Sequence, residues 1–228
     1  PTTVAFFLQK YWVSRKSYVT VTGKPTAATI KRLEWYIKAF ANDDVRRAAI
    51  NSLIVALGTS VIAVILGSSA AYAFSRFQFI GRQFGMLGFI ILLMLAGSAT
   101  VAPLFVLLSQ IKIGDESLRL TLFGLMLAYG STTLPFSIWN LKGYFDTVPK
   151  ELEEAALIDG ASMTQTFIRI IMPLAVPALA VTVLFAFMSG WTEFILAWTF
   201  LEDPSRFTLA MALRSMQGQF ATPWSAFA

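Results

Sequence analysis

Cysteine and histidine are both absent from this chain. The first absence removes any disulfide framework and all thiol chemistry. The second removes the commonest general base and metal ligand. Charge is scarce as well: 14% of residues are charged, where a soluble domain carries about a quarter. No G-x-x-x-x-G-K-[ST] run occurs, so the chain has no phosphate-cradling loop. The carboxylates fall in connectors without catalytic or metal-binding spacing. An enzyme active site and a metal site are therefore not expected. What fills the sequence instead is apolar: 56% of 228 residues, with mean hydropathy +0.65, which puts it in the membrane class. Six Trp and twenty Phe suit lipid contact and interfacial belts, although they would equally fill a large core. The net charge is +5, and half of the 18 basic residues precede residue 48. They come without a binding motif, so no nucleic-acid partner is expected.

Four long apolar stretches stand out: Ala48–Phe74, Phe84–Ile111, Leu120–Leu141 and Ile170–Leu201. Each reaches the roughly 20 residues needed to cross a hydrocarbon core of about 30 Å. The fourth is too long for one simple span, so a tilted or broken helix is expected, followed by an interfacial piece around Gly190–Trp198. Gly58, Gly67, Ser68, Ser69, Ala70 and Ala71, with the small residues from Ala96 to Ala99, have the texture of helices that pack on one another in lipid. Pro103, Pro135, Pro173 and Pro177 lie within or at the ends of these runs, as kinks or as breaks beside a cavity. The region before Ala48 is polar, with a helical stripe at Leu33, Tyr36, Ile37 and Phe40. The expected organisation is a polar segment 1–47 and a single transmembrane domain 48–228, in contact with membrane lipid.

Between the third and fourth stretches lies PKELEEAALIDGASMTQTFIRIIMP, Pro149 to Pro173. Pro149 suits the first turn of a helix. Glu151, Glu153 and Glu154 set negative charge at the positive end of its dipole, and Leu152, Ala155 and Ala156 share one face. Asp159-Gly160 ends the helix, because glycine accepts a left-handed conformation at a C-terminus. Ser162 with Gln165 reads as a capping box. Met163, Phe167, Ile170 and Ile171 then form a second apolar stripe up to Pro173. Periodicity alone allows an amphipathic connector lying on the membrane surface. Ala155 and Ala156 weigh toward a partner protein, because short side chains permit close approach.

The stretch EAALIDGASMTQTFIRIIMP closely resembles the EAA loop of permease subunits in binding-protein-dependent ATP-binding-cassette (ABC) importers. That pattern is Glu-Ala-Ala, Gly after three residues, then Ile, a variable and an aliphatic residue, and Pro. Glu154, Ala155, Ala156, Gly160, Ile170 and Pro173 stand at its spacing, with Met172 where Leu is usual. NSLIVALGTSVIAVILGSSAAYAFSRFQFIGR, Asp159-Gly160-Ala161 and GWTEFILAWTF resemble the sugar branch, particularly its maltose-type permeases. The resemblance implies an all-α membrane protein, a polytopic helical bundle of the type I importer permease kind. About four spans are visible here and about six are typical. It implies a cytoplasmic coupling loop at 146–172, with Glu154, Ala155, Ala156, Asp159, Gly160, Ala161, Phe167 and Pro173 as the coupling residues. It implies two cytoplasmic ATPase subunits that hold the ATP and Mg, with no cofactor in this chain. It further implies a second, different permease, an extracytoplasmic solute-binding protein docking near Glu202–Pro223, and a prokaryotic plasma membrane. The loop itself does not separate a sugar from a polyamine, an amino acid or phosphate, and a secondary transporter with a surface helix is the rival outside this class.

For a sugar path, Tyr129, Ser131, Thr132, Thr133 and Asn140 in the third stretch are candidate lining, and polar residues joining helices would explain them equally. Glu193 is the carboxylate most embedded in an apolar run, which makes it a functional candidate; Trp191, Phe194 and Trp198 around it also fit an interfacial belt. Sidedness divides the indicators. The resemblance puts Arg76–Arg82 and the EAA loop inside and Lys112–Arg119 outside, and with them makes segment 1–47 extracytoplasmic. Lys31, Arg32, Lys38, Arg46 and Arg47 before the first span favour the opposite by the positive-inside rule. A loop that docks an ATPase must face ATP, so the motif sets the expectation.

Overall fold

The computed structural model of the chain describes residues 43–215 other than 96 and 115. The stripe Leu33–Phe40, most of the polar segment 1–47 and the tail after residue 215 lie outside the described residues. Helix α1, Asp43–Arg76, has 34 residues, about 51 Å at 1.5 Å each. Its buried side is mostly small or hydroxylated: Ala48, Ser52, Ala56, Thr59, Ser60, Ala63, Gly67, Ser68 and Ala71, with Val45, Val55 and Tyr72 as the larger members. Its exposed side carries Ile50, Leu53, Ile54, Leu57, Val61, Ile65 and Leu66. Large outside and small inside is the inverse of a soluble helix. It is what lipid rewards, because backbones approach closely only where side chains are short.

The second apolar run is not one continuous helix. It divides into α2, Arg82–Met94, and α3, Val101–Gln110, with a tight turn at Gly97–Thr100 between them. Each is shorter than a span, and α2 buries none of its residues. A two-stranded hairpin follows, β1 Lys112–Ile113 and β2 Glu116–Ser117, pairing Lys112 with Ser117 and Ile113 with Glu116. Helix α4, Leu122–Phe145, runs through Pro135 and packs most extensively against α1. Gly67 lies over Ser137, where a Cβ would come 3.0 Å from the serine Cβ.

After the EAA stretch, which forms α5 (Glu151–Ile158) and α6 (Met163–Thr166), a π-helical turn covers Phe167–Ile171. A short α7, Met172–Leu174, leads to α8, Val176–Thr192. The chain bends by 79° at the break between Leu174 and Val176. The expected transition at Pro173 therefore falls two residues later. Pro177 stands at the start of α8, where its ring would clash with the carbonyl of residue 173 in an unbroken helix. Ala178, Thr182, Ala186 and Gly190 form a buried seam along α8, one per turn. α9, Ile195–Phe200, and α10, Leu209–Ser215, complete the bundle. Among the described residues one helix, α1, is long and apolar enough to cross a membrane by itself, and the bent pair around Ala175 makes a second span if counted as one.

Polar contacts group the connectors at two ends. At one end Arg206 bonds both carboxylate oxygens of Glu116, at 2.7 and 3.3 Å, and the Leu120 carbonyl at 2.8 Å. Arg119 joins Glu202 at 2.7 Å and lies 4.8 Å from the Phe105 ring centre. Asn51 of α1 donates to the carbonyls of Ser205 and Phe207 at 3.0 and 3.1 Å. At the opposite end of α1, Ser75 donates to Asp146 at 2.7 Å and Arg76 pairs with Glu153. Loop 76–82 and loop 146–172 thus share one end, and segments 112–119 and 202–207 share the other. This is the grouping that the resemblance implies.

Candidate functional site

The EAA stretch is a short helix, a glycine break and a second helix. Lys150 is the N-cap of α5, so Pro149 stands just before the helix rather than within its first turn. Glu151, Glu153 and Glu154 occupy the first turn as the dipole favours. At the far end Gly160 takes φ 86°, its N–H donating to the Leu157 carbonyl at 3.1 Å while Ala161 N–H reaches Ala156 at 3.0 Å. Those two bonds make a complete Schellman cap, which needs a left-handed residue at Gly160. The capping box forms in full: Ser162 Oγ accepts from Gln165 N–H at 3.3 Å, and Gln165 Oε1 accepts from Ser162 N–H at 2.8 Å.

The faces of α5 divide differently from the sequence expectation. Glu153 and Ala156 turn inward, while Leu152, Ala155, Leu157 and Ile158 are exposed. Ala155 and Ala156 therefore serve opposite surfaces: Ala156 seats the helix on its own subunit, and Ala155 lies on the outer face beside Leu152 and Ile158. Ile158 is 86% exposed, with Asp159 and Gly160 exposed next to it. Phe167 is half-buried in a cluster with Tyr72 and Phe145, its ring centre 4.7 Å from that of Tyr72. Pro173 is exposed on the short α7.

Glu153 carries the site's largest departure from the sequence reading. Both its oxygens are engaged: Arg76 Nε meets Oε1, and the Tyr72 hydroxyl donates to Oε2 at 2.8 Å. The Arg76 and Glu153 side chains are 7% and 9% exposed. Arg76 also donates to the Val148 carbonyl at 2.9 Å. Removing one partner of such a pair strands a buried charge, at about 3–5 kcal/mol. Beside it, Asp146 accepts from Lys142 at 2.5 Å and from Ser75 at 2.7 Å. Partial burial raises the pKa of its carboxyl, but the Lys142 and Ser75 hydrogen bonds outweigh that and hold it below the usual aspartate range. In the sequence Glu153 reads only as dipole-favouring charge. The available signal was its i, i+3 spacing with Ala156, which puts both on one face.

The residues expected along a path are dispersed. Tyr129 and Thr133 are buried, Tyr129 donating to the Glu193 carbonyl at 3.3 Å and Thr133 to carbonyls of its own helix. Ser131 and Thr132 are exposed and also bond back to their own helix. Asn140 links α4 to α8 through Thr182 Oγ1 at 3.1 Å and borders an open groove of about 680 Å³ with Trp139, Lys142, Pro177 and Val181. Glu193, one residue before the N-cap Phe194, closes the start of α9 with its carboxylate, which accepts from Ile195 and Leu196 N–H at 3.2 and 3.0 Å. Among the described residues no cluster of carboxylates has metal-holding geometry.

A helical bundle with large apolar residues outward, small-residue seams inward and a capped two-helix plug at one end has the packing of a membrane protein. A family model described as "Binding-protein-dependent transport system inner membrane component" matches residues 63–228. The chain belongs to that family. It is 38% identical over 165 residues to a maltodextrin transport system permease protein of Bacillus subtilis, covering 72% of this chain and 58% of the relative. It is 35% identical over 208 residues to a trehalose/maltose transport system permease protein of Thermococcus litoralis, covering 90% and 73%. An inner membrane ABC transporter permease protein of Escherichia coli is 39% identical over 173 residues, covering 76% and 59%. The chain thus spans about three fifths of the length of several curated relatives it matches. A solved bacterial ABC transporter involved in the import of the acidic polysaccharide alginate shares the fold, with TM-score 0.70 and 22% identity, over 82% of this chain and 64% of that one.

Proposed function

We propose that this chain is the permease subunit of an importer that carries a sugar, whether mono-, di- or oligosaccharide, across a prokaryotic plasma membrane. Loop 146–172 docks on a cytoplasmic ATPase, two copies of which bind ATP and Mg; this chain is not catalytic. A second permease completes the path, and an extracytoplasmic binding protein delivers the solute. The observation that carries this reading is the outer face of α5. Leu152, Ala155 and Ile158 are exposed together on a helix whose C-terminus is fixed by the Gly160 cap. A rigid apolar knob with a short residue at its centre suits a groove in a partner protein. The maltodextrin, trehalose and diacetylchitobiose systems named among the relatives support a sugar as cargo.

Nucleotide-driven closure of the ATPase pair would move the docked loop and rock the spans between inward- and outward-facing states. Glu154 is exposed, so an ion pair with the ATPase there would add only about 0–1 kcal/mol. Shape rather than charge then dominates docking. The sugar would pass along the exposed side of α4 near Ser131, Thr132 and the groove at Asn140, with the Tyr129 hydroxyl on the Glu193 carbonyl holding α4 to the start of α9.

Co-purification of the full-length chain with an ATPase, together with uptake of maltose, trehalose and diacetylchitobiose into vesicles, tests both halves. A purified chain that binds no ATPase defeats the coupling role. ATP-driven uptake of a polyamine, an amino acid or phosphate in place of every sugar defeats the cargo.

A further inference from the structure

We propose that the buried Glu153–Arg76 pair is the link through which movement of the coupling loop enters the bundle, and that α1 carries it to the opposite end. This rests on the reading of the loop as an ATPase-docking element. By chain connectivity α5 adjoins α4 and α8, which would be the obvious recipients. Both connections contain elements that yield. The path to α8 passes the left-handed Gly160, a π-helical turn and the 79° bend at Ala175. The path to α4 is the non-helical segment 146–150.

The contact with α1 has no such slack. Arg76 and the Tyr72 hydroxyl hold the two oxygens of Glu153, and Arg76 Nη2 simultaneously holds the Val148 carbonyl at the foot of α5. Tyr72 is wedged against Phe145 and Phe167, with ring centres at 6.2 and 4.7 Å. Ion pair, hydrogen bonds and rings all converge on the last turns of α1. That helix is unbroken for 34 residues and contains no proline. Its other end is equally tied: Asn51 holds the Ser205 and Phe207 carbonyls, and Ser52 Oγ accepts from Leu209 N–H at 2.8 Å. A displacement of α5 therefore moves segment 203–209 through one stiff rod. Glu153 and Arg76 are positioning residues, because they touch neither solute nor nucleotide.

The test uses the complete importer in vesicles, with whichever of maltose, trehalose or diacetylchitobiose the unmodified protein takes up. Glu153→Gln and Arg76→Gln should leave ATPase co-purification intact while solute moved per ATP falls at least tenfold. The double variant should be no worse than either single change. These 228 residues contain no cysteine, so Ser205→Cys, in an importer whose other subunits are cleared of reactive cysteine, supplies a label at the far end of the rod. Its reaction with an impermeant thiol reagent should change on ATP binding, and Glu153→Gln should abolish that change. If Glu153→Gln does not assemble, Tyr72→Phe keeps the ring, removes one bond to Glu153, and should lower the ratio severalfold. Ratios within twofold of the unmodified protein, multiplicative losses in the double variant, or an ATP response at Ser205→Cys that survives Glu153→Gln would each overturn the link. An unmodified chain that fails to bind its ATPase would instead overturn the docking role of the loop.

Discussion

Gly190 of α8 crosses Ala56 of α1 so closely that a Cβ on the glycine would lie 3.0 Å from the Ala56 Cα and 3.5 Å from Thr59 Oγ1. The neighbour is backbone, so it cannot yield as a side-chain tip would. Gly190→Leu should therefore separate the two helices or force a rotamer off its minimum, at about 1–3 kcal/mol. Gly190→Ala should cost distinctly less. Thermal unfolding of the detergent-solubilised protein checks this: the leucine variant should melt clearly lower and the alanine variant between it and the parent. Equal melting points would mean that the α1–α8 crossing is looser than the geometry indicates.

Gly160 differs in kind. A Cβ there meets nothing within 4 Å, but φ is 86°. Strain and steric access can therefore be separated. Gly160→Asn tolerates the left-handed backbone, whereas Gly160→Ala should lose about 1–2 kcal/mol locally. Neither should block docking, because neither is large. Gly160→Leu adds bulk pointing away from the subunit, and should abolish ATPase binding while the chain alone stays folded. Co-purification of the ATPase with the three variants reads the distinction. Binding retained by the leucine variant would remove Gly160 from the docking surface.

The loop was legible because each of its determinants is local. Acidic first turn, glycine cap and capping box all act within about four residues, and all form as the sequence indicates. What escaped was non-local or hidden by uniform hydropathy. Arg76 and Glu153 are 77 positions apart, and nothing in either neighbourhood announces the other. The run Phe84–Ile111 reads as one span because apolarity is continuous across the turn at Gly97–Thr100, where small residues permit a break as readily as a close contact. Pro173 and Pro177 compete for the same bend, and only the backbone at Ala175 decides between them.

Glu193 illustrates a carboxylate whose position suggests transport chemistry and whose bonds describe a cap. Its two acceptors close the N-terminus of α9. Loss of such a cap costs about 0.5–2 kcal/mol. Glu193→Asp and Glu193→Gln retain an acceptor oxygen and should transport at near-parental rates. Glu193→Ala should lower the melting temperature first and transport only in proportion to the folded fraction. A selective rise in KM with unchanged stability in any of these variants would instead put the carboxylate in contact with the solute.

Acid should weaken the end of the bundle that bears loop 146–172 through Asp146. Hydrogen bonds from Lys142 and Ser75 keep its folded-state pKa below the unfolded value of about 3.9. A depressed pKa contributes stability that is complete above the unfolded value and is lost as pH falls through the folded one. Asp146 is 41% exposed, so the contribution is screened and should stay near the 0–1 kcal/mol of a surface pair. Asp146→Asn keeps the Ser75 bond but carries no charge to titrate. Stability measured from pH 7 downward should fall less steeply for Asp146→Asn than for the parent, with the two curves converging once the aspartate is protonated. Parallel curves throughout would show that the Asp146 charge adds nothing to the seam between α1 and α4.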